Sequence, residues 1–165
     1  MLQPAPASQS AKPVAAEPNR SLPARLRIPA LNVDAKVLYM GTAASGNMDV
    51  PTDVADTGWY KHGALPGNTG SAVIAGHVNG RSGQPGVFVG LTKLKPGDML
   101  SVTDTNGLTT DFIVRASKEY GSTEQPDEVF HSSGGAHLNL ITCVGEWNNA
   151  ERQYSHRLVV FTDRK

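Results

Sequence analysis

From Arg25 onward, apolar and polar residues alternate over short stretches separated by turn-forming residues. A period of two predicts strands with one face in a core. Leu26-Arg27-Ile28 alternates in this way and is stopped by Pro29. Residues 33–40 form a second candidate, after which Gly41 and Ser45-Gly46-Asn47 turn the chain into Met48-Asp49-Val50-Pro51. Pro66-Gly67-Asn68 marks another turn, and the following stretch, 71–78, is almost continuously apolar, as expected of a buried strand. Residues 99–103 and 110–116 flank Asp104-Thr105-Asn106-Gly107, whose Asn-Gly pair is a strong hairpin signal. Residues 137–144 and 157–162 complete the set. Helix is scarce: 87–91 and 126–130 each predict one short turn. Seven or eight short strands at this spacing predict an all-β chain closed into a barrel or packed as a sandwich.

Composition sharpens the picture in a few places. The 165 residues, 39% of them hydrophobic, allow one domain with a single ordinary core. Residues 1–24 hold five of the eleven prolines and no aromatic side chain. Such a stretch buries too little surface to offset its ordering entropy. It reads as a flexible, partly extended stalk, or as a chain end with no role, leaving 25–165 as the folded domain. The formal net charge is zero and there is no lysine-arginine run, so the electrostatic footprint of a nucleic-acid partner is missing. No stretch approaches the ~20 apolar residues that cross a bilayer. Met1-Leu2-Gln3-Pro4 opens directly into polar chain, so the protein is either cytoplasmic or preceded by a targeting or anchoring segment outside this sequence.

The candidate chemistry lies at strand ends. Cys143, the one cysteine, closes the run Leu138-Asn139-Leu140-Ile141-Thr142, His77 ends Ala72-Val73-Ile74-Ala75-Gly76, and Arg157 opens Leu158-Val159-Val160-Phe161. One cysteine makes no internal disulfide, and a lone thiol is as a rule a packing residue. Its company changes that reading. If the strands of Cys143 and Arg157 pair antiparallel, both side chains reach the same end of the sheet, with the 13-residue stretch 144–156 as a looped wall beside them. His77 joins them if its strand runs parallel to the cysteine strand. A thiol near its reference pKa of ~8.5 is a few per cent thiolate at neutral pH, and a neighbouring cation or base raises that fraction. An imidazole can later protonate an amine leaving group. A guanidinium donates two hydrogen bonds to a carbonyl oxygen gaining negative charge. Together these residues describe acyl transfer through a thioester. No Asp or Asn is evident to orient the histidine as in a papain-type triad.

Thr142-Cys143, Gly76-His77 and Tyr154-Ser155-His156-Arg157-Leu158-Val159-Val160 resemble the three signatures of sortases, the cysteine transpeptidases of Gram-positive and related bacteria. Gly58-Trp59-Tyr60, Pro66-Gly67-Asn68-Thr69-Gly70 and Lys95-Pro96-Gly97-Asp98 support the likeness, which spans roughly residues 25–162. The resemblance implies a closed barrel of about eight strands. It also implies cleavage of an LPXTG-like sorting signal between Thr and Gly, with the acyl group held on cysteine and passed to an amine. In those terms Cys143 is the nucleophile, His77 the general acid/base, and Arg157 the oxyanion-stabilising and substrate-binding residue. Arg152 is the rival arginine, set back in the loop. Partners would be surface proteins carrying the signal and an amine acceptor such as a peptidoglycan precursor. The enzyme would sit at the extracytoplasmic face of the membrane, on an N-terminal anchor outside this chain. The Trp59-Tyr60 pattern and short surface loops look most like class F, with class E next.

The remaining polar residues carry less. Trp59 and Tyr60 line a substrate groove or pack on the barrel; Thr142 hydrogen-bonds substrate or fills a strand position. His62, His131, His137 and His156 read as solvated, and alternation turns His156 away from Arg157. The histidines show no metal spacing, and Glu124, Asp127 and Glu128 read as a solvated acidic loop ahead of a calcium site, so no cofactor is expected. Two alternatives stay open: an L,D-transpeptidase-like peptidoglycan enzyme, which would want histidine and cysteine close in sequence, and a sortase-like surface binding module without catalysis.

Overall fold

The computed structural model describes residues 21–132 and 134–165. Strands are β1 (Pro23–Ile28), β2 (Val33–Met40), β3 (Thr57–Tyr60), β4 (Gly70–Gly76), β5 (Met99–Asp104), β6 (Thr109–Gly121), β7 (Ala136–Asn148) and β8 (Gln153–Arg164). They close into one barrel in the order β1-β2-β3-β4-β7-β8-β6-β5, so the expected all-β barrel of about eight strands is what forms. Two pairs are parallel, β2 with β3 and β4 with β7. The only α-helix among the described residues is α1 (Asp127–Phe130), and short 3-10 turns occupy Pro29–Leu31 and Leu91–Lys93.

Alternation divides the strands between two cores. Leu26, Ile28, Ile74, Leu138, Leu140 and Leu158 fill the barrel interior. On the outer face of β4, β7 and β8, a second cluster gathers Val73, Ala75, Ile141 and Val159 beneath Val129 and Phe130 of α1. Burying those two helical side chains contributes roughly 1.5–3 kcal/mol each, which holds in place a helix far too short to persist alone. Double coverage explains why β4 and the start of β7 read as continuous apolar runs: neither has a wet face there.

Four boundaries differ from the pattern-based expectation. Most of the proposed stalk lies outside the described residues. Its last part is already attached: Leu22 N–H donates to Thr105 Oγ1 at 3.2 Å, and β1 starts at Pro23. Met48 makes an isolated bridge to Thr42, and the next strand is instead Thr57–Tyr60, too short for its period to be read. The turn expected at 87–91 forms, with Val89 N–H to Gly86 O and Leu91 N–H to Phe88 O both at 3.1 Å, and runs on into a 3-10 helix at Leu91–Lys93. The fourth difference matters most for the site: the stretch after Cys143 is not a loop. β7 runs on to Asn148 and β8 begins at Gln153, so the two form a hairpin arm past the barrel. Its polar, exposed residues hide the strand pattern, while Trp147 faces Tyr154 edge-on at 5.2 Å and pins the register.

Candidate active site

The parallel register of β4 and β7 pairs Ala75 with Ile141 and, carried two residues on, brings His77 beside Cys143. Thr142 Oγ1 donates to the Gly76 carbonyl at 2.8 Å, which fixes that continuation. In the antiparallel pair of β7 and β8, Cys143 is directly opposite Arg157, and on the next strand Arg157 is opposite Tyr120. His77, Cys143, Arg157 and Tyr120 therefore form one row across β4, β7, β8 and β6. Adjacent strands are ~4.8 Å apart, so the first three backbones span about 10 Å. Register partners share a face, and that face is the outer one, above Ile141 and Val159.

Each member of the row is held differently. His77 Nε2 lies 2.7 Å from the Pro51 carbonyl. A carbonyl only accepts, so Nε2 carries the proton and Nδ1 keeps a lone pair in the neutral ring. The backbone around it is tight: a Cβ on Gly76 would come within 2.7 Å of the Val87 and Phe88 side chains, which makes glycine necessary before the histidine. Phe88 N–H returns to the His77 carbonyl at 3.0 Å. Cys143 is a free, half-buried thiol. Arg157 is 3% exposed, and its Nη1 donates to the carbonyls of Tyr154 and His156, both at 3.0 Å. Its Nε is buried without a partner among the described residues, a donor left over for something else. Tyr120 donates to Glu128 of α1, which Lys118 also reaches at 3.1 Å. Those two bonds hold the Glu128 carboxyl below its usual range, while burial, with Glu128 adding to it, pushes the Tyr120 phenol well up.

The sortase domain family matches residues 26–165. The chain belongs to the sortase family. No curated protein sequence matches it. Among solved structures it is similar to sortase C-1 of Actinomyces oris, with 26% identity and a TM-score of 0.66 over 86% of this chain and 73% of that one. The Group B Streptococcus Pilus Island 1 sortase C2 gives 25% identity and 0.66 over 86% and 73%. Sortase C-1 of Streptococcus pneumoniae gives 28% and 0.66 over 86% and 66%.

For a sortase the chain sorts its other candidates cleanly. Trp59 is 3% exposed inside the barrel, with its indole N–H donated to Ala64 O at 3.0 Å. It lines no groove, because alternation in β3 turns it inward. Thr142 is 1% exposed and also faces inward. Tyr60 sits on the outer face but low on it, edge-on to Phe130 at 5.6 Å beneath α1. Arg152 occupies the turn at the arm's tip, in a left-handed conformation with φ 53. His156 is exposed and bonded to the Ser155 hydroxyl at 2.8 Å. His62 and His131 are exposed, but His137 is not the solvated residue expected, since it bonds Asp163 and the Gly134 carbonyl, both at 2.7 Å. Glu124, Asp127 and Glu128 belong to no metal-holding cluster among the described residues. Two surface cavities of about 290 and 310 Å³ are lined by neither His77, Cys143 nor Arg157. Pro51 and Tyr120 escaped sequence reasoning. The first acts through a carbonyl that any residue has, and the second is one tyrosine in a long strand.

Proposed function

We propose that this sortase is a transpeptidase that cleaves an LPXTG-like sorting signal between Thr and Gly and transfers the acyl group to an amine. The reading is supported above all by the row in which His77 and Arg157 flank Cys143 on adjacent strands. His77 Nδ1 takes the thiol proton, and the thiolate sulfur attacks the threonine carbonyl carbon. The carbonyl oxygen becomes an oxyanion, and Arg157 donates to it. Collapse of the tetrahedral species breaks the C–N bond, and the glycine amine leaves with the proton held on His77. An acceptor amine then gives its proton to His77, attacks the thioester and regenerates the thiol. Throughout, the Pro51 carbonyl keeps Nε2–H occupied, so the shuttled proton moves at Nδ1 alone.

We assign class F, with class E next, on the Trp59-Tyr60 pattern and the short surface loops; the solved structures compared above are class C. The natural partners in this reading are surface proteins bearing the signal and a cell-envelope amine such as a peptidoglycan precursor. The site faces outward from the membrane on an N-terminal anchor; among the described residues, no helix is long and apolar enough to cross one. Incubation with sorting-signal peptides followed by mass spectrometry tests the assignment. A thioacyl adduct on Cys143, released by added hydroxylamine and absent in Cys143→Ala, is the expected result. Equal peptide cleavage by Cys143→Ala would rule the nucleophile out.

A further inference from the structure

The hairpin arm leaves the barrel with few strand neighbours. β4 makes its last pair with β7 at Ala75–Ile141, and β6 makes its last pair with β8 at Gly121–His156. Arg157 stands at the root of this arm and is bonded to its backbone, through the carbonyls of Tyr154 and His156. On the opposite side, the chain after His77 folds into its own small turn. Asn79 bridges Pro85, Gly80 N–H reaches Gln84 O at 2.8 Å, and Gly86 N–H reaches Val78 O at 3.0 Å. Among the described residues the two substructures are joined by one side-chain bond: Asn79 Nδ2 donates to the Tyr154 hydroxyl at 2.6 Å, across 75 residues of sequence and partly buried.

We propose that Asn79 and Tyr154 form a positioning brace for the transfer reaction. Tyr154 holds Arg157 with its carbonyl and, with its hydroxyl, holds a residue two positions beyond His77. One side chain thereby links the guanidinium side of the thiol to the imidazole side. The arm's root is otherwise supported from the β6 side, by Ser122 N–H to Ser155 O at 3.1 Å. Within the arm, the Glu146 N–H to Ser155 Oγ bond at 3.0 Å stabilises the bulge at Gly145. That bulge needs glycine, with φ 89 and no room for a Cβ, which would sit 2.2 Å from Ser155 Oγ. Neither of these bonds spans the row. Without the Asn79–Tyr154 bond the strand pairing still holds the backbones of the row, but the arm's root and the turn after His77 lose their side-chain tie, and a misplacement of about 1 Å costs up to ~100-fold in rate.

The inference rests on the transpeptidase reading, and the test separates the two. Tyr154→Phe removes only the hydroxyl and keeps the ring against Trp147; Asn79→Ala removes the donor. Each is expected to lower kcat on a fluorogenic sorting-signal peptide by about tenfold or more, with KM changed less than about twofold and the melting temperature nearly unchanged. The double variant should be no worse than either single one, because both remove the same bond. The pH profile of Cys143 alkylation by iodoacetamide should also shift in each variant, a readout that loss of simple scaffolding would leave in place. If wild-type protein forms a thioacyl adduct and both variants turn over at the wild-type rate, the brace is wrong. Additive losses in the double variant would equally overturn it. If wild-type protein forms no adduct at all, the transpeptidase reading fails and takes the brace with it.

Discussion

Two histidines stand at opposite ends of the same parallel strand pair, and they are held in different ways. His137 is the second residue of β7, and His77 follows the last residue of β4. His137 has acceptors at both ring nitrogens, the Asp163 carboxylate and the Gly134 carbonyl. His77 has one, the Pro51 carbonyl at Nε2, and among the described residues Nδ1 makes no hydrogen bond. A ring with both nitrogens engaged ties chain segments together; a ring with one engaged is aimed and still able to accept a proton. The count of ring partners separates the two roles where exposure does not, since both residues are half-buried.

The sharpest way to break this comparison is to exchange the losses. His77→Ala should lower transpeptidation by about 10³-fold or more, as removal of an activating base does. His137→Ala should leave kcat/KM within about threefold and lower the melting temperature instead. Comparable activity losses in both, read by steady-state kinetics, would end the distinction. Next in size, Arg157→Lys should cost about 10–100-fold in kcat, because an ammonium cannot donate in the guanidinium's planar fork. A smaller effect is expected at Thr142. Thr142→Val keeps the shape but removes the hydroxyl donor to the Gly76 carbonyl, a loss of about 1–2 kcal/mol by chemical denaturation, with KM unchanged because the side chain faces the barrel interior. The smallest effect lies at the His137 end. Burial raises the Asp163 carboxyl, but the bonds from His137 and Arg115 outweigh it and hold it below its usual value. A depressed carboxyl adds stability above its unfolded pKa and loses it as pH falls through the folded one. Wild-type protein should therefore lose melting temperature on acidification below about pH 4 more steeply than Asp163→Asn, with activity at neutral pH the same in both.

What could be read from the sequence followed from burial. β4 and the first half of β7 are covered on both sides, so their residues announce themselves as apolar runs, and His77 and Cys143 fall where those runs stop. The Asn106-Gly107 turn was equally plain, since Gly107 adopts φ 82. Positions outside the core were harder. The arm beyond Cys143 is paired yet exposed, so Glu146, Asn148 and Asn149 wrote a loop where a hairpin stands. Trp59 and Tyr60 are neighbours on a four-residue strand, too little pattern to tell which one faces inward. Pro51 left no trace at all, because its contribution is a backbone carbonyl.

The parallel register between β4 and β7 has a temporal consequence. His77 and Cys143 are 66 residues apart in the chain, and parallel pairing at that separation closes late compared with hairpins such as β5–β6. Arg157 arrives later still, on β8, the last strand in chain order among the described residues. Until β8 docks, Cys143 lacks the arginine opposite it, and until β4 and β7 pair it lacks the histidine as well. In the proposed reading the three side chains meet only once the barrel is complete, and a half-built copy holds the thiol without its two neighbours.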